Sequence, residues 1–429
     1  MRDFIVTAMV FGLLPFILRN PVIGAYAWVW LSMMNPHRAT YGFARSMPFA
    51  QIVAVVTLAS FLASRHRRPF PVNMVTVTLL LMLAWMSLTG FFAIANPDYV
   101  LERWIFVMKT QLMLIVTLML VRGQLQIDRL IWVIVVSVGF YGVKGGLYTL
   151  ATGGSGRVWG PPGLLEGNNE LAVALVIMVP LMVYLMQTAA KKWVRYLLMF
   201  SIVTTVFAIL GTQSRGALLA LVAMAFFLAV KSKRPVVMSL LIVAVMVMVV
   251  AFMPDSWTKR MDTIEGYKSD GSAMERIYTW TTLFNCAKDR PLTGAGFGAD
   301  NPLVFARYAP RSDEFAGFEN VVLVAHSIYF QMLGEHGFPG LLLYLTLGAL
   351  TWIKASQLAK RCRDDPDFGS WVPQLMPMIQ VGLIGFAAGG AFLSLAYLDV
   401  PYYSVALVVL VDATIKERDR AKLPAWQRT

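Results

Sequence analysis

The sequence predicts an all-α integral membrane protein with about twelve transmembrane helices and one large loop outside the membrane. Of its 429 residues, 58% are hydrophobic and only 14% are charged, whereas charged residues make up about a quarter of a soluble protein. Apolar runs near the ~20 residues that a spanning helix needs recur from end to end, and the charges lie between them. We expect membrane helices in residues 1–253, the large loop in residues 254–326, and further membrane helices with a basic tail in residues 327–429.

The candidate spans are apolar runs separated by polar gaps. They are residues 4–18, 22–34, 49–63, 72–95, 104–121, 130–151, 171–189, 196–211, 216–230, 236–253, 327–353, 372–395 and 402–411. No small-x-small cleavage site follows the first run, so we interpret it as a membrane segment and not as a signal peptide. We expect residues 4–34, interrupted at Arg19-Asn20-Pro21, to hold one true span, which leaves about twelve.

The basic residues predict the orientation of the chain. Roughly half of the 37 Lys and Arg lie in one alternate set of loops and in the tail, which the positive-inside rule places in the cytoplasm. These loops are residues 65–68, 122–129, 191–195, 231–234, 354–363 and 416–428. The same distribution explains the net charge of +13, so we expect no nucleic-acid partner. Cys286 and Cys362 fall on opposite faces, which excludes a disulfide between them.

The outward face then includes residues 254–326, a loop of roughly 70 residues. Loops longer than about 15 residues are usually functional or disordered. Its aromatic residues are spread among charges and predict a folded segment at the membrane surface; they are Trp257, Tyr267, Tyr278, Trp280, Phe284, Phe297 and Tyr308. A tether without chemistry is the alternative interpretation.

His326 is the strongest single candidate for a catalytic residue. It follows the apolar run of residues 321–325 and comes just before a helical segment that begins at Ser327. Gly337, Pro339 and Gly340 predict a break between a short helix and the spanning one. A helix start disfavours the imidazolium form, so His326 would be neutral and able to accept a proton. The alternative is a histidine that only caps the helix.

Basic residues on the outward face run against the positive-inside bias and predict an anionic substrate. Arg215 lies between two spans with almost no loop, Arg276 precedes Trp280 by one helical turn, and Arg157 lies in a glycine-rich loop near Asn169. Lys109 and Lys144 fall inside apolar segments. Buried cations usually mark a substrate path, and guanidinium groups pair with phosphate oxygens. Snorkelling of the side chain to lipid headgroups is the alternative, and it is weakest for Arg215.

Other polar groups give weaker signals. His37, His66 and His336 lack the spacing of metal ligands. The acidic residues Asp289, Asp300, Asp313 and Glu314 are expected to be solvated loop charges. We therefore expect no catalytic metal and no cofactor. The glycines of residues 294–298 predict a tight turn and not a dinucleotide site, because no strand and helix surround them.

These motifs together resemble the O-antigen ligase and polymerase family of bacterial envelope glycosyltransferases. The family pattern of His, then Ser, Asn or Gln, then nine residues, Gly, two residues and Gly is met by His326, Ser327, Gly337 and Gly340. Ser214-Arg215-Gly216 matches the arginine at the outer end of a central span. The start of the large loop matches through Arg276, Trp280, Pro291, Gly294 and Gly298, and Asn169 corresponds to a family asparagine.

The resemblance implies a GT-C-like membrane enzyme of the bacterial inner membrane with its active site facing the periplasm. It would transfer a glycan from undecaprenyl diphosphate to the lipid A core oligosaccharide. His326 would be the general base, Arg215 and Arg276 would stabilise the diphosphate, and one direct displacement would invert the anomeric configuration. Arg157, Asn169, Lys109 and Lys144 would contact the diphosphate or the glycan. The activated donor needs neither ATP nor metal.

Other functions stay open. Residues 1–63 resemble O-glycosylation ligases associated with exosortase systems, which keeps a protein acceptor possible, and the family also contains polymerases. A single large loop is more typical of ligases. A transporter or flippase for lipid-linked sugars would also use buried cations and about twelve spans. Such a transporter should show internal symmetry, and none is visible.

Overall fold

The computed structural model of the protein describes residues 1–64, 67–163, 165–232, 236, 239–240, 242–244, 246–247, 271–318, 321–365 and 369–422. All regular elements in these residues are helical and none is a strand, which confirms the all-α prediction. The α-helices are α1 (Arg2–Arg19), α2 (Pro21–Met34), α3 (Phe49–Ala63), α4 (Met74–Gly90), α5 (Pro97–Leu120), α6 (Gly123–Ala151), α7 (Asn168–Thr188), α8 (Lys192–Gly211), α9 (Arg215–Lys231), α10 (Gly271–Asp289), α11 (Pro302–Tyr308), α12 (Ile328–Arg361), α13 (Trp371–Gly390) and α14 (Asp399–Lys422). Short 3₁₀ helices cover Pro36–Ala39, Phe43–Ser46 and Asp313–Phe318.

Several of the helices are long and apolar enough to cross a membrane. Among the described residues, 6 helices meet this criterion, namely α5, α6, α7, α8, α12 and α13. The shorter helices α2, α3 and α4 are also apolar. The chain is therefore a multi-pass membrane protein, while the total of about twelve spans stays a prediction. Most of the candidate span at residues 236–253 lies outside the described residues.

Residues 4–34 form two helices that turn back on each other. Pro21 starts α2, and the Asn20 side chain accepts a hydrogen bond from the Val22 amide at 3.1 Å. Near the start of α1, Asp3 accepts hydrogen bonds from the amides of Gly42 and Ala44, which follow the end of α2. The start of α1 and the end of α2 therefore lie at the same level. That the pair crosses the membrane only once stays a prediction.

Basic residues from loops predicted to be cytoplasmic meet at one end of the bundle. Arg122 pairs with Glu417 at 3.1 Å, and Lys354 and Lys416 both pair with Asp412, at 2.9 and 3.0 Å. We call this the basic end. The loops predicted to face outward meet at the opposite end, as the contacts described below show.

The predicted break in α12 occurs at Gly337, where φ is 67° and ψ is −171°. A helix that stops leaves its last carbonyl groups without partners. Here the glycine-rich turn supplies them, because the amides of Ala295 and Gly296 donate to the carbonyls of Gly334 and Glu335 at 2.7 and 2.9 Å. A Cβ atom on Gly294 would lie 2.5 Å from the Gly334 oxygen, so glycine permits the close approach.

The described part of the large loop is folded. Helix α10 packs against α11 and the following chain through buried residues that include Leu283, Cys286, Val304 and Tyr308. A second cluster contains Met274, Tyr278, Phe305 and Phe315. Residues 271–318 therefore form a compact unit with its own apolar core, not a tether. Cys286 and Cys362 are both buried free thiols.

Candidate active site

His326 has an unusual backbone conformation directly before α12. Its φ is 45°, and among the described residues only Asn35 and Gln213 are other non-glycine residues with positive φ. A positive φ is uncommon for a non-glycine residue, although histidine adopts it more often than most, and such residues cluster at functional sites. The His326 amide donates to Ser394 Oγ at 2.8 Å. Ser327 then caps α12 by accepting a hydrogen bond from the Phe330 amide, so the predicted position of His326 at a helix start is confirmed.

The surroundings of His326 favour its neutral form. Partial burial lowers the pKa of the imidazole below its ordinary value, and the nearby positive charge of Arg276 lowers it further. Both effects penalise the imidazolium. A neutral imidazole at ordinary pH is chemically able to accept a proton.

Helix α10 brings Arg276 to this region by docking against the residues before His326. The Trp280 indole donates to the Ala325 carbonyl at 2.8 Å and stacks on the Phe330 ring, with centroids 5.0 Å apart. Arg276 lies one turn earlier on α10, where its guanidinium donates to the Ser272 carbonyl and hydroxyl at 3.2 and 3.0 Å. The structure thus brings Arg276, Trp280 and the segment that carries His326 together.

Arg215 is the first residue of α9, and Ser214 caps that helix by accepting a hydrogen bond from the Ala217 amide at 3.2 Å. Gln213, with φ of 56°, makes the turn that precedes it. The next residue, Gly216, packs closely against Phe392, since a Cβ atom there would lie 3.3 Å from the Phe392 Cβ. Residues 391–398 therefore touch the start of α9 through Phe392 and hold His326 through Ser394.

The 391–398 segment is fixed by hydrogen bonds to neighbouring helices. The Ala396 amide donates to Gln331 Oε1 at 3.1 Å, and the Tyr402 hydroxyl donates to the Ala396 carbonyl at 2.8 Å. The Tyr397 hydroxyl donates to the Glu335 carboxylate. The candidate span at residues 372–395 was too long at its end, because α13 stops at Gly390 and the segment turns away to make these contacts.

His336 belongs to a buried polar network that the sequence analysis missed. Its ring lies 2.7 Å from the Tyr397 hydroxyl and 2.6 Å from Thr89 Oγ1, and it is completely buried. The network joins α4, the break in α12 and the 391–398 segment. The signal available in the sequence was the spacing of Gln331 and Glu335, which places two polar side chains on one face of an apolar helix.

A cavity of about 220 Å³ lies where these elements meet. It is lined by Arg103, Glu170, Leu283, Phe297, Gly298, Ala299, Asp300, Leu323, Val324, Ala325, Gln331, Glu335, Ser394 and Tyr397. The expectation that Asp300 is a solvated loop charge was wrong, because the turn at residues 294–298 places it in the cavity wall, where burial raises the pKa of its carboxyl group. Glu170 is the lining residue next to the predicted site residue Asn169, which directly precedes it in the chain.

Arg157 and Lys144 line a separate cavity of about 340 Å³, together with Tyr141, Tyr148 and Trp159. The Arg157 guanidinium lies 5.8 Å from the centre of the Trp159 ring. The loop that carries Arg157 is tied to the turn before Arg215. The Val158 amide donates to the Gly211 carbonyl at 2.9 Å, and the Asn168 side chain donates to the Thr212 carbonyl at 2.8 Å.

Lys109 is not part of either cavity. It is exposed on α5, with its ammonium group 5.6 Å from the centre of the Phe106 ring. Within the described ranges, no hydrogen bond, ion pair or ring contact links it to another predicted site residue. This placement agrees better with a lysine that reaches the membrane surface than with a substrate ligand.

An apolar cavity of about 290 Å³ begins beside the start of α12. Ile328 and Tyr329 form one end, and the lining continues to Trp352 on the same helix and to α13 and α14. At the far end, the Trp352 ring contacts Phe227 of α9 at 6.3 Å. The cavity therefore starts two residues after His326 and extends along α12 toward the basic end.

The fold and these contacts define a multi-pass membrane protein with a polar site at one end of its helix bundle. Comparison with known families gives the class more closely: residues 200–345 match the model of the O-antigen ligase family, and residues 1–190 match a family of unknown function. A search of curated proteins found no match. The match supports an O-antigen ligase-family membrane protein, and that family implies a membrane glycosyltransferase of ligase or polymerase type.

No group of three or more His, Cys, Asp or Glu side chains with the geometry of a metal site occurs in the part of the chain that the structure describes. The expectation that the protein needs no metal or cofactor stays a prediction.

Proposed function

We propose that the protein transfers a glycan from undecaprenyl diphosphate to the lipid A core oligosaccharide at the periplasmic face of the bacterial inner membrane. The observation that carries the proposal is the setting of His326. A left-handed histidine, held by Ser394 and kept neutral beside Arg276, lies within the O-antigen ligase match. These are the properties of a general base placed against an anionic donor.

In the proposed reaction, His326 takes the proton from the acceptor hydroxyl as its oxygen attacks the anomeric carbon of the donor sugar. The bond between that carbon and the diphosphate oxygen breaks, and undecaprenyl diphosphate leaves with the electron pair. The single displacement inverts the anomeric configuration. Because the diphosphate is already a good leaving group, the reaction requires neither ATP nor a metal ion.

Arg215 and Arg276 would hold the diphosphate and stabilise the charge that develops on it. Guanidinium groups suit this role because they bind phosphate oxygens with two parallel hydrogen bonds. The support is their placement, since α10 docks next to His326 and the start of α9 packs on the 391–398 segment. Arg157 lies in the loop, and Lys144 in the helix, beside the turn that precedes Arg215. Both would contact the donor at a greater distance from His326, and Asn169 would contact the glycan.

The apolar cavity next to α12 would accept the first isoprene units of the carrier. A donor whose diphosphate lies near His326 must direct its hydrocarbon chain into the membrane. The cavity begins at Ile328 and Tyr329 and is lined almost entirely by apolar and aromatic side chains. Burial of isoprenoid surface there would add affinity in proportion to the area covered.

Two alternatives differ in the acceptor or in the class of protein. A protein O-oligosaccharyltransferase or an O-antigen polymerase of the same family would use the same site with another acceptor. A transporter or flippase for lipid-linked sugars would need no base at a helix start, and the left-handed His326 favours the enzyme over it.

The test is glycan transfer by purified protein in detergent with EDTA, from an undecaprenyl diphosphate donor to lipid A core. Wild type should be active without a sealed compartment, whereas His326→Ala, Arg215→Ala and Arg276→Ala should lose transfer. Arg311→Ala is a matched control, because Arg311 is exposed in the same part of the chain. Transfer only to a polypeptide or to a second carrier-linked glycan would reassign the acceptor. Full activity of His326→Ala would disprove the general base, and retention of the donor configuration would disprove the single displacement.

A further inference from the structure

The cavity of about 220 Å³ beside the 391–398 segment has walls from elements that position His326 and Arg276. Residues 323–325 lead directly to His326, and Ser394 holds the His326 amide. Leu283 comes from α10, the helix of Arg276, while Glu170 comes from the start of α7. A molecule in this cavity would therefore lie against the residues that precede His326 in the chain and against Ser394, which holds its backbone amide.

The charges in the cavity wall disfavour a diphosphate. Three carboxyl groups, those of Glu170, Asp300 and Glu335, face one guanidinium, that of Arg103. Arg103 also donates to the Tyr99 hydroxyl at 3.0 and 2.8 Å. Like charges at close range repel, so the anionic part of a donor must bind elsewhere, and the arginines outside this cavity provide that place.

The polar groups and the size suit a sugar. Carboxylate and amide oxygens accept hydrogen bonds from hydroxyl groups, and the Gln331 amide can also donate. The rings of Phe297 and Tyr397, with centroids 5.8 Å apart, add an aromatic surface. The volume is below the range of about 300–1,000 Å³ that is typical for drug-sized ligands, so one sugar ring fits better than an oligosaccharide.

We infer that this cavity binds a single uncharged, hydroxyl-rich sugar ring next to His326. Glu170 and Asp300 accept hydrogen bonds from its hydroxyl groups, and the excess of carboxylates discriminates against uronic acids and phosphorylated sugars. The inference rests on the proposed glycan transfer. The ring is either the reacting sugar of the donor or that of the acceptor, and the kinetic constants distinguish the two.

The variants Glu170→Gln and Asp300→Asn keep the side-chain shape and remove one charge each. We expect the KM of one substrate to rise about tenfold, as loss of a charge-assisted hydrogen bond predicts, while the KM of the other stays the same. A rise for the acceptor alone assigns the cavity to the acceptor sugar, and a rise for the donor alone assigns it to the donor sugar. Asp98→Asn is the control, because Asp98 is an exposed acid at the same end of α5 as Arg103.

A substrate with a uronic acid at the reacting position separates recognition from a structural role. Wild type should have a lower kcat/KM for this substrate than for its neutral counterpart. Both variants should reduce the ratio between the two kcat/KM values at least severalfold. A variant that is merely less well folded would lose both substrates equally. Unchanged KM values in both variants of an active enzyme, or an equal loss of neutral and anionic substrates, would overturn the inference.

Saturation-transfer NMR makes the sugar site testable apart from catalysis. Wild-type protein in detergent should bind millimolar methyl glucoside more strongly than methyl glucuronide, and Glu170→Gln should reduce that difference. If wild type transfers no glycan but shows this selectivity, the proposed function fails and the sugar site stands. Equal signals for both sugars, or no signal for methyl glucoside, would overturn the sugar site even if transfer is observed.

Discussion

The backbone amide of His326 donates a hydrogen bond to the Ser394 hydroxyl, with the two atoms 2.8 Å apart. Ser394 lies in the segment between α13 and α14, 68 residues further along the chain. The bond holds a backbone conformation that histidine rarely adopts. Ser394 therefore positions His326 through the backbone. This role requires no contact between Ser394 and the imidazole ring.

We expect Ser394→Ala to reduce kcat by up to about tenfold, because a hydrogen bond contributes about 0.5–1.5 kcal/mol and its loss frees the His326 backbone. Ser370→Ala is the control, since Ser370 accepts a hydrogen bond from Gln374 at the basic end. A lower melting temperature with an unchanged kcat of the folded variant would argue that Ser394 acts only on folding.

The pH dependence of transfer should report the state of His326. Since the neutral imidazole is the reactive form and its pKa is lowered, activity should persist below pH 6.5, the ordinary value for histidine, and fall only at still lower pH. The residual activity of Arg276→Gln should show this acidic limb of kcat/KM at higher pH, because one cause of the lowering of the His326 pKa is removed. Lys288→Gln, which removes an exposed charge from the same helix, should leave the limb in place. An acidic limb unchanged by Arg276→Gln would contradict the assignment.

Loss of His326 itself should be more severe. General-base catalysis contributes typically 10²–10⁴-fold to a rate, so we expect His326→Ala to lower kcat by roughly that factor. The melting temperature should stay near that of wild type because the side chain is only partly buried. Stopped-time assays with saturating donor and acceptor would measure the change.

Gly337→Ala should destabilise the fold by at least about 2 kcal/mol, because its φ and ψ lie in a region that is almost exclusive to glycine and because an added Cβ atom would overpack the site. Gly337 has φ of 67°, and a Cβ atom would lie 2.5 Å from the carbonyl oxygens of Pro291 and Leu292. The melting temperature in detergent measures the effect. Gly12→Ala, at a helical position with nothing within 4 Å, should have little effect. Equal melting temperatures for the two variants would show that the break in α12 tolerates a side chain.

Filling the apolar cavity should make the enzyme sensitive to the length of the lipid carrier. Gly348 lines the cavity, and we expect Gly348→Phe to raise the KM for a long polyprenyl donor severalfold without changing it for a donor with one or two isoprene units. Leu342→Phe is the control, because Leu342 is exposed on the same helix and does not line the cavity. An equal effect on long and short donors would indicate that the carrier chain binds elsewhere.

Local sequence patterns predicted the parts of the site that depend on local structure. Gly337 and Pro339 indicated the break in α12, and the position of His326 before Ser327 indicated a helix start. The spacing of Arg276 and Trp280 predicted a shared helix face. Each of these predictions follows from backbone preferences within a few residues of the chain.

Contacts between distant residues could not be predicted in this way. His336 lies against Thr89, which is 247 residues earlier, and no local pattern connects them. Residues 391–395 were interpreted as the end of an apolar span, although Gly389-Gly390 marked a possible stop. Asp300 was assigned to solvent because a single loop aspartate carries no information about the direction in which a turn places it.

At the break in α12, the unit formed by residues 271–318 is attached to the helix through main-chain hydrogen bonds. The amides of Ala295 and Gly296 bind the carbonyls of Gly334 and Glu335, and the Phe338 amide binds the Pro291 carbonyl. Such bonds depend on glycine geometry and hardly on the identity of other side chains. The attachment of this unit to α12 can therefore be conserved independently of substrate recognition. Side chains on its outer surface can change in evolution, for example to suit a new acceptor, while the hydrogen bonds to α12 stay the same.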